Sequence, residues 1–280
     1  MKKRIGFMQG RLVDKVDGKI QSFPSAQWRD EFPIAQRIGI PLMEWTLDDY
    51  LLAQNPFCTA AGQQEIQRLS KTFGLTVTSL TGDCFMQAPF WKHSGIEQAQ
   101  LLGKLDLVID ACAVLRVRHI VIPLVDNGQL DNAQQTEVLH SQLMRRHASL
   151  LQKGVQIAFE SDYAPAQLQA FIALFPADSF GVNYDIGNSA SLGFDPTQEL
   201  QAYAPRITNV HVKDRILGGT TVALGTGAAK MDAVFSGLHT CGYAGNFILQ
   251  TARAADSEHE KTLLHYKNWT LGRLERYFGS

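Results

Sequence analysis

Short apolar runs alternate along the chain with longer stretches whose apolar positions fall three and four apart. This is the pattern of buried strands alternating with helices that pack by one face. Strands are predicted at 4–9, 39–45, 75–81, 118–124, 155–160, 180–185, 207–212 and 246–250. Between them, Leu168, Phe171, Ile172 and Phe175 predict one helix face, and Met231, Val234, Phe235 and Leu238 predict another. Ser94 and Glu97 have capping-box spacing ahead of Leu102, Leu105, Ile109 and Cys112, and Asp195 before Pro196 reads as an N-cap and first helical position. Gly74 and Gly154 stand where helices should stop, whereas Pro33 predicts a break or kink in the first helix.

Strands separated by helices pair in parallel, and eight such units can close a sheet so that no edge stays unpaired. The expected fold class is therefore α/β, a (β/α)8 barrel forming a single domain over residues 1–280. An open doubly wound sheet is the alternative, but no G-x-G-x-x-G follows the first strand. LGTGAAK, at 224–230, lacks both a strand directly before it and the complete phosphate-loop pattern, so it reads as a connecting loop.

Composition narrows the partners. The chain has 280 residues, 45% of them hydrophobic, with a formal net charge of -1 and a pI near 6.7, which offers no general attraction to nucleic acid. The opening MKKRIGFMQG has no apolar signal region, and neither a signal peptide nor a membrane anchor is expected; a cytoplasmic location is the default. Cys58, Cys84, Cys112 and Cys241 form no Cys-x-x-Cys pair and are expected to be reduced packing residues.

Active groups of such barrels gather at the C-terminal ends of the strands. The fifth predicted strand ends at Glu160, the sixth at Asp185, the seventh near His211 and the eighth at Gln250. Taken singly, each carboxylate is better explained by a helix cap or an ion pair, and the histidine by a structural hydrogen bond. Together on four consecutive strands they predict a site for one divalent cation, with positions open to substrate oxygens.

GFMQGRL, MEW, FES, YDIGNSASLGFDP, HVKDR, LGTG and GYAGNFILQTAR together resemble the sugar phosphate isomerase/epimerase family of xylose isomerase-like barrels over nearly the whole chain. The resemblance implies metal ligation by Glu160, Asp185 and His211, with Gln250 standing where the family has a second Glu. It implies one divalent ion (Mn, Mg, Co or Zn), a small sugar or sugar-phosphate substrate, and a homodimer. An amide cannot transfer a proton at neutral pH, so the two-carboxylate proton transfer of family epimerases is incomplete here.

Glu160 is then the expected base and Lys213, two residues after His211, the leading candidate for the acid; a salt bridge to a carboxylate is an equal alternative. Glu44 is the other candidate, or a contact to substrate hydroxyls across the mouth. Arg11, Arg215 and Arg253 are candidates for phosphate or carboxylate, and Asn188 for a sugar hydroxyl. Gln9, Thr81 and Trp45 are expected to line the pocket, the tryptophan by stacking on a sugar face. An isomerase or epimerase working through an enediolate is the first functional expectation. A dehydratase or lyase on the same barrel and a non-catalytic sugar-binding protein are the alternatives. A nuclease ranks low, because Asn188 rather than histidine follows Asp185 by three residues.

Overall fold

Successive residues of a strand point to opposite faces, and this alternation decides what each predicted strand end does. In 155–160, Phe159 turns outward against Phe171, Phe175 and Phe180, so its neighbour Glu160 turns into the barrel. Each such aromatic, removed from water, contributes about 1.5–3 kcal/mol. The outward apolar rows of the strands thereby fix which polar residues face the barrel axis.

The computed structural model describes residues 1–279. The strands are β1 (Ile5–Met8), β2 (Leu42–Thr46), β3 (Thr76–Thr81), β4 (His119–Leu124), β5 (Gln156–Ser161), β6 (Phe180–Asp185) and β7 (Ile207–Val212). A short pair, β8 (Asp214–Arg215) and β9 (Thr221–Val222), precedes β10 (Phe247–Leu249). The sheet closes in the order β1-β10-β7-β6-β5-β4-β3-β2, with parallel neighbours throughout. This is the expected (β/α)8 barrel. The antiparallel ribbon β8–β9 was not anticipated; its strands are two residues each, too short to leave a periodic signal.

The outer layer follows the predicted faces. Met231, Val234, Phe235 and Leu238 are buried on the helix Met231–Thr240, where Phe235 stacks on Phe247 of β10. Leu168, Phe171 and Ile172 are buried on Pro165–Ile172, while buried Phe175 lies just past that helix. Gly74 and Gly154 end their helices with φ of 65°, a conformation costly for other residues. Asp195 caps Pro196–Tyr203 through a bond from the Thr197 amide.

Three local expectations differ. Pro33 does not break Glu31–Ile38, because it lies in the first turn, where the missing N–H would have had no helical partner. Ser94 sits at the N-cap of Gly95–Leu115 without a side-chain cap bond, and Glu97 pairs instead with His93 at 3.0 Å, so no capping box forms. Cys241 is exposed rather than packed, being the residue that ends a surface helix. Among the described residues, no helix is long and apolar enough to cross a membrane.

Candidate metal centre at the barrel mouth

Strand register brings the sequence-distant acids together. Asp185 pairs with His211 across β6 and β7, and Glu160 stands on the next strand, at the second-to-last position of β5. One ligand atom from each of Glu160, Asp185 and His211 lies within 4.8 Å of the other two, and all three residues are buried. His211 Nδ1 is 3.2 Å from Glu160 Oε2 and 3.8 Å from Asp185 Oδ2.

The imidazole is held from behind. Its Nε2 is 2.7 Å from Glu44 Oε1, and both side chains are 0% exposed. Glu44 Oε2 accepts from Ser79 Oγ at 2.7 Å and Asn209 Nδ2 at 2.8 Å. Asn209 also donates to Asn183 Oδ1, which turns the Asn183 amide so that its nitrogen donates to Glu160 Oε2 at 2.7 Å. Burial would push the Glu44 carboxyl up, but the His211 charge and these donors hold it below the usual range. Burial likewise opposes protonation of His211, yet Glu44, Asp185 and Glu160 around the ring raise its pKa well above the ordinary value. One imidazole nitrogen and two carboxylate oxygens gathered within 4.8 Å of one another form a donor set that fits a divalent cation.

Lys213 completes the rim. Its Nζ donates to Asn188 Oδ1 at 2.9 Å, Asp185 Oδ2 at 3.2 Å and Gln250 Oε1 at 3.3 Å. Burial alone would raise the Asp185 carboxyl, but the Lys213 ammonium and His211 hold it far below its ordinary value. Asp185 Oδ1 accepts from the Asn188 amide, capping the helix Ile186–Ser191, so only Oδ2 is left to face inward. Gly187 is required here: a Cβ would stand 2.6 Å from Lys213 Cγ and 2.9 Å from Lys213 Cβ. Asn188 donates to Glu160 Oε1 at 2.7 Å and accepts from Arg215 Nη1 at 2.9 Å, tying β5, β6 and β8 together. Asp214, 0% exposed, accepts from the amides of Gly225, Gly227 and Ala229, which folds LGTGAAK against β8, directly after Lys213.

The remaining predicted residues divide by the face they take. Gln250, one residue past β10, reaches Lys213. Glu44 lies inside the barrel beneath His211, not at the mouth, because its oxygens are taken by β3 and β7. Trp45, the next residue, turns outward; it is fully buried against Phe23, Trp28 and Phe57, its Nε1 on Asn55, and cannot stack on a sugar. Thr81 is buried and donates to Asp83 at 2.8 Å.

Gln9 Oε1 accepts from the Thr46 amide, while its buried Nε2 has no partner. Arg11 donates to the Thr251 and Ile20 carbonyls and Arg253 to that of Val13, so both arginines tie the loop after β1 to the end of β10. Glu31 closes the same loop, accepting from the Gly10 and Leu12 amides.

Four site residues escaped the sequence reading. Ser79, Asn183 and Asn209 carry the network under His211, and the inward alternation of their strands was the signal that could have found them. The fourth is Asp83, half-buried beyond β3. Burial first, and then Asp48, Glu160 and Glu44, push its carboxyl up to about 7 despite the Thr81 bond.

A closed parallel barrel with a carboxylate and imidazole cluster at its strand ends defines a (β/α)8 protein with a candidate metal centre. A family model described as xylose isomerase-like TIM barrel matches residues 28–269, and the chain belongs to that family. No curated protein matches it significantly. Among solved structures, it is similar to a xylose isomerase domain protein from Planctomyces limnophilus (TM-score 0.74, 17% identity, covering 99% of each chain). It is also similar to the IOLI protein with a bound zinc atom (TM-score 0.75, 15% identity, 99% of this chain and 100% of that one). A third is D-psicose 3-epimerase in the presence of D-fructose (TM-score 0.74, 12% identity, 99% of this chain and 100% of that one).

Proposed function

We propose that this protein is an isomerase or epimerase of a small sugar or sugar phosphate, dependent on one divalent cation held by Glu160, Asp185 and His211. The observation that carries the reading is the convergence of those three side chains within 4.8 Å at the mouth of the barrel. The zinc bound by the IOLI protein and the 3-epimerase named for D-psicose support it by likeness of fold. Bound there, the cation supplies electrophilic stabilisation to a carbonyl or hydroxyl oxygen of the substrate.

Glu160 is the proton-transfer base. Its oxygens are fixed by the Asn188 and Asn183 amides, so the carboxylate is held in one orientation for a proton next to a carbonyl. Lys213 is the partner acid, and Gln250, its acceptor, cannot take that role itself. Asn188 and Arg215 are the substrate contacts nearest the cluster, and Arg215 suits a phosphate or carboxylate, whereas Arg11 and Arg253 are committed to backbone carbonyls and hold the loop after β1. The reading includes a cytoplasmic, single-domain protein acting as a homodimer, carried over from composition and resemblance.

Incubation with a panel of ketoses and ketose phosphates in deuterated water tests this reading. Deuterium should enter at the carbon next to the carbonyl, and Glu160→Gln should abolish that exchange. Bound metal without exchange on any substrate would instead mark a sugar-binding protein. A dehydratase or lyase is favoured by one observation, the amide at position 250 in place of a second base. The dehydratase signature is loss of water in the product mass, the enolate left by Glu160 expelling a β-hydroxyl. The lyase signature is carbon–carbon cleavage that starts with removal of the β-hydroxyl proton and leaves the enolate as product.

A further inference from the structure

Asp185 has only one oxygen to offer the centre. Oδ1 is committed to the Asn188 amide, and Oδ2, the oxygen 3.8 Å from His211 Nδ1, already accepts from Lys213 Nζ at 3.2 Å. A divalent ion bound to Oδ2 would therefore share it with an ammonium group at hydrogen-bond distance, and two like charges so close in a buried site repel strongly. The lysine side chain is 14% exposed, and its stem passes over Gly187, where any side chain would collide with it. Its Nζ is thus confined to three acceptors. One is the carboxylate; the other two, Asn188 Oδ1 at 2.9 Å and Gln250 Oε1 at 3.3 Å, are neutral amides.

We infer that Lys213 is a tethered cation that competes with the divalent ion for Asp185 Oδ2, and that Gln250 serves the displaced ammonium and not the metal. This rests on the proposed metal centre and assigns two of its residues. A carboxylate at 250 would hold the ammonium in a second ion pair. An amide accepts the ammonium without fixing it there, so the lysine can leave Asp185 when the ion arrives and return when it departs. The centre then takes up only ions that outbid its own lysine.

Calorimetric titration of the full chain with Mn²⁺ and with Zn²⁺ tests this. Lys213→Met should bind both ions at least tenfold more tightly than the wild type, and Lys213→Gln, which keeps a polar group, should do the same. Lys230→Met, at an exposed ion pair with Asp195, should leave affinity unchanged. A double-mutant cycle separates the two roles of position 250. Gln250→Ala should weaken metal binding in the presence of Lys213 and have no effect in the Lys213→Met background.

Weakening by Gln250→Ala in both backgrounds would make Gln250 a ligand and overturn its assignment. Wild-type binding that neither lysine variant strengthens overturns the competition while leaving the metal centre intact. Absence of binding in the wild type and in all variants, with their thermal unfolding preserved, would instead remove the metal centre itself and the inference with it.

Discussion

Glu44→Gln is the most exacting test of the buried scaffold. The substitution keeps the volume of the side chain but removes its charge and one acceptor oxygen. Glu44 accepts three bonds, from His211 Nε2 at 2.7 Å, Ser79 Oγ at 2.7 Å and Asn209 Nδ2 at 2.8 Å, with no exposure to solvent. Whichever way the new amide turns, at least one of those donors meets an NH₂ group. Breaking a buried charge pair from one side costs about 3–5 kcal/mol, and each buried donor left without an acceptor costs about 1–3 kcal/mol.

A loss of about 3–5 kcal/mol in equilibrium urea unfolding, in the presence of chelator, is therefore expected. Ser79→Ala, which removes only one of the three bonds, should lose about 1 kcal/mol. Without the carboxylate behind Nε2, the ring loses the partner that leaves Nδ1 to the centre, and affinity for Mn²⁺ should fall by about 10–100-fold. A variant that loses less than about 1 kcal/mol and binds Mn²⁺ as the wild type does would refute the claim that Glu44 positions the imidazole.

Gly187→Ala should destabilise the fold by about 1–3 kcal/mol through overpacking against Lys213, and a crystal structure of the variant should show Nζ displaced from Asp185. Asp214→Asn removes acceptor capacity from the amides of Gly225, Gly227 and Ala229; faster hydrogen exchange at those three, with β1 unchanged, is the expected result. His119 gives a pH dependence of known sign. Burial, helped by Arg118 and opposed by Glu44, lowers it from 6.5 to about 4. As pH falls from 6.5 toward 4, the unfolded chain gains a proton that the folded one refuses, so stability drops with falling pH. His119→Asn should remove about 3 kcal/mol of that drop in unfolding curves measured at about pH 7 and about pH 4.

The strands were legible because each carries an outward apolar row, and the strand ends were legible because the barrel fixes where chemistry gathers. Glu160, Asp185 and His211 could be set side by side from their order along the chain. Direction at a strand end was harder. Glu44 and Trp45 are consecutive, and both were read toward the mouth; alternation sends one beneath His211 and the other into the aromatic layer with Trp28 and Phe57. The asparagines at 183 and 209 passed as ordinary strand polarity because their meaning lies in bonds to other strands. The ribbon β8–β9 is set by Asp214 gathering a distant loop, which local composition does not announce.

What the sequence alone determined is the periodic part: eight strands, the helices that cover them, and an acid-rich rim. Repetition averages over many residues, so a misplaced boundary hardly matters. Tertiary structure decided which acceptor each polar side chain finds, above all that Lys213 reaches Asp185 and Gln250 together. The physical reason is range: burial of an apolar row tolerates shifts of a few ångströms, whereas a hydrogen bond is made or lost within one.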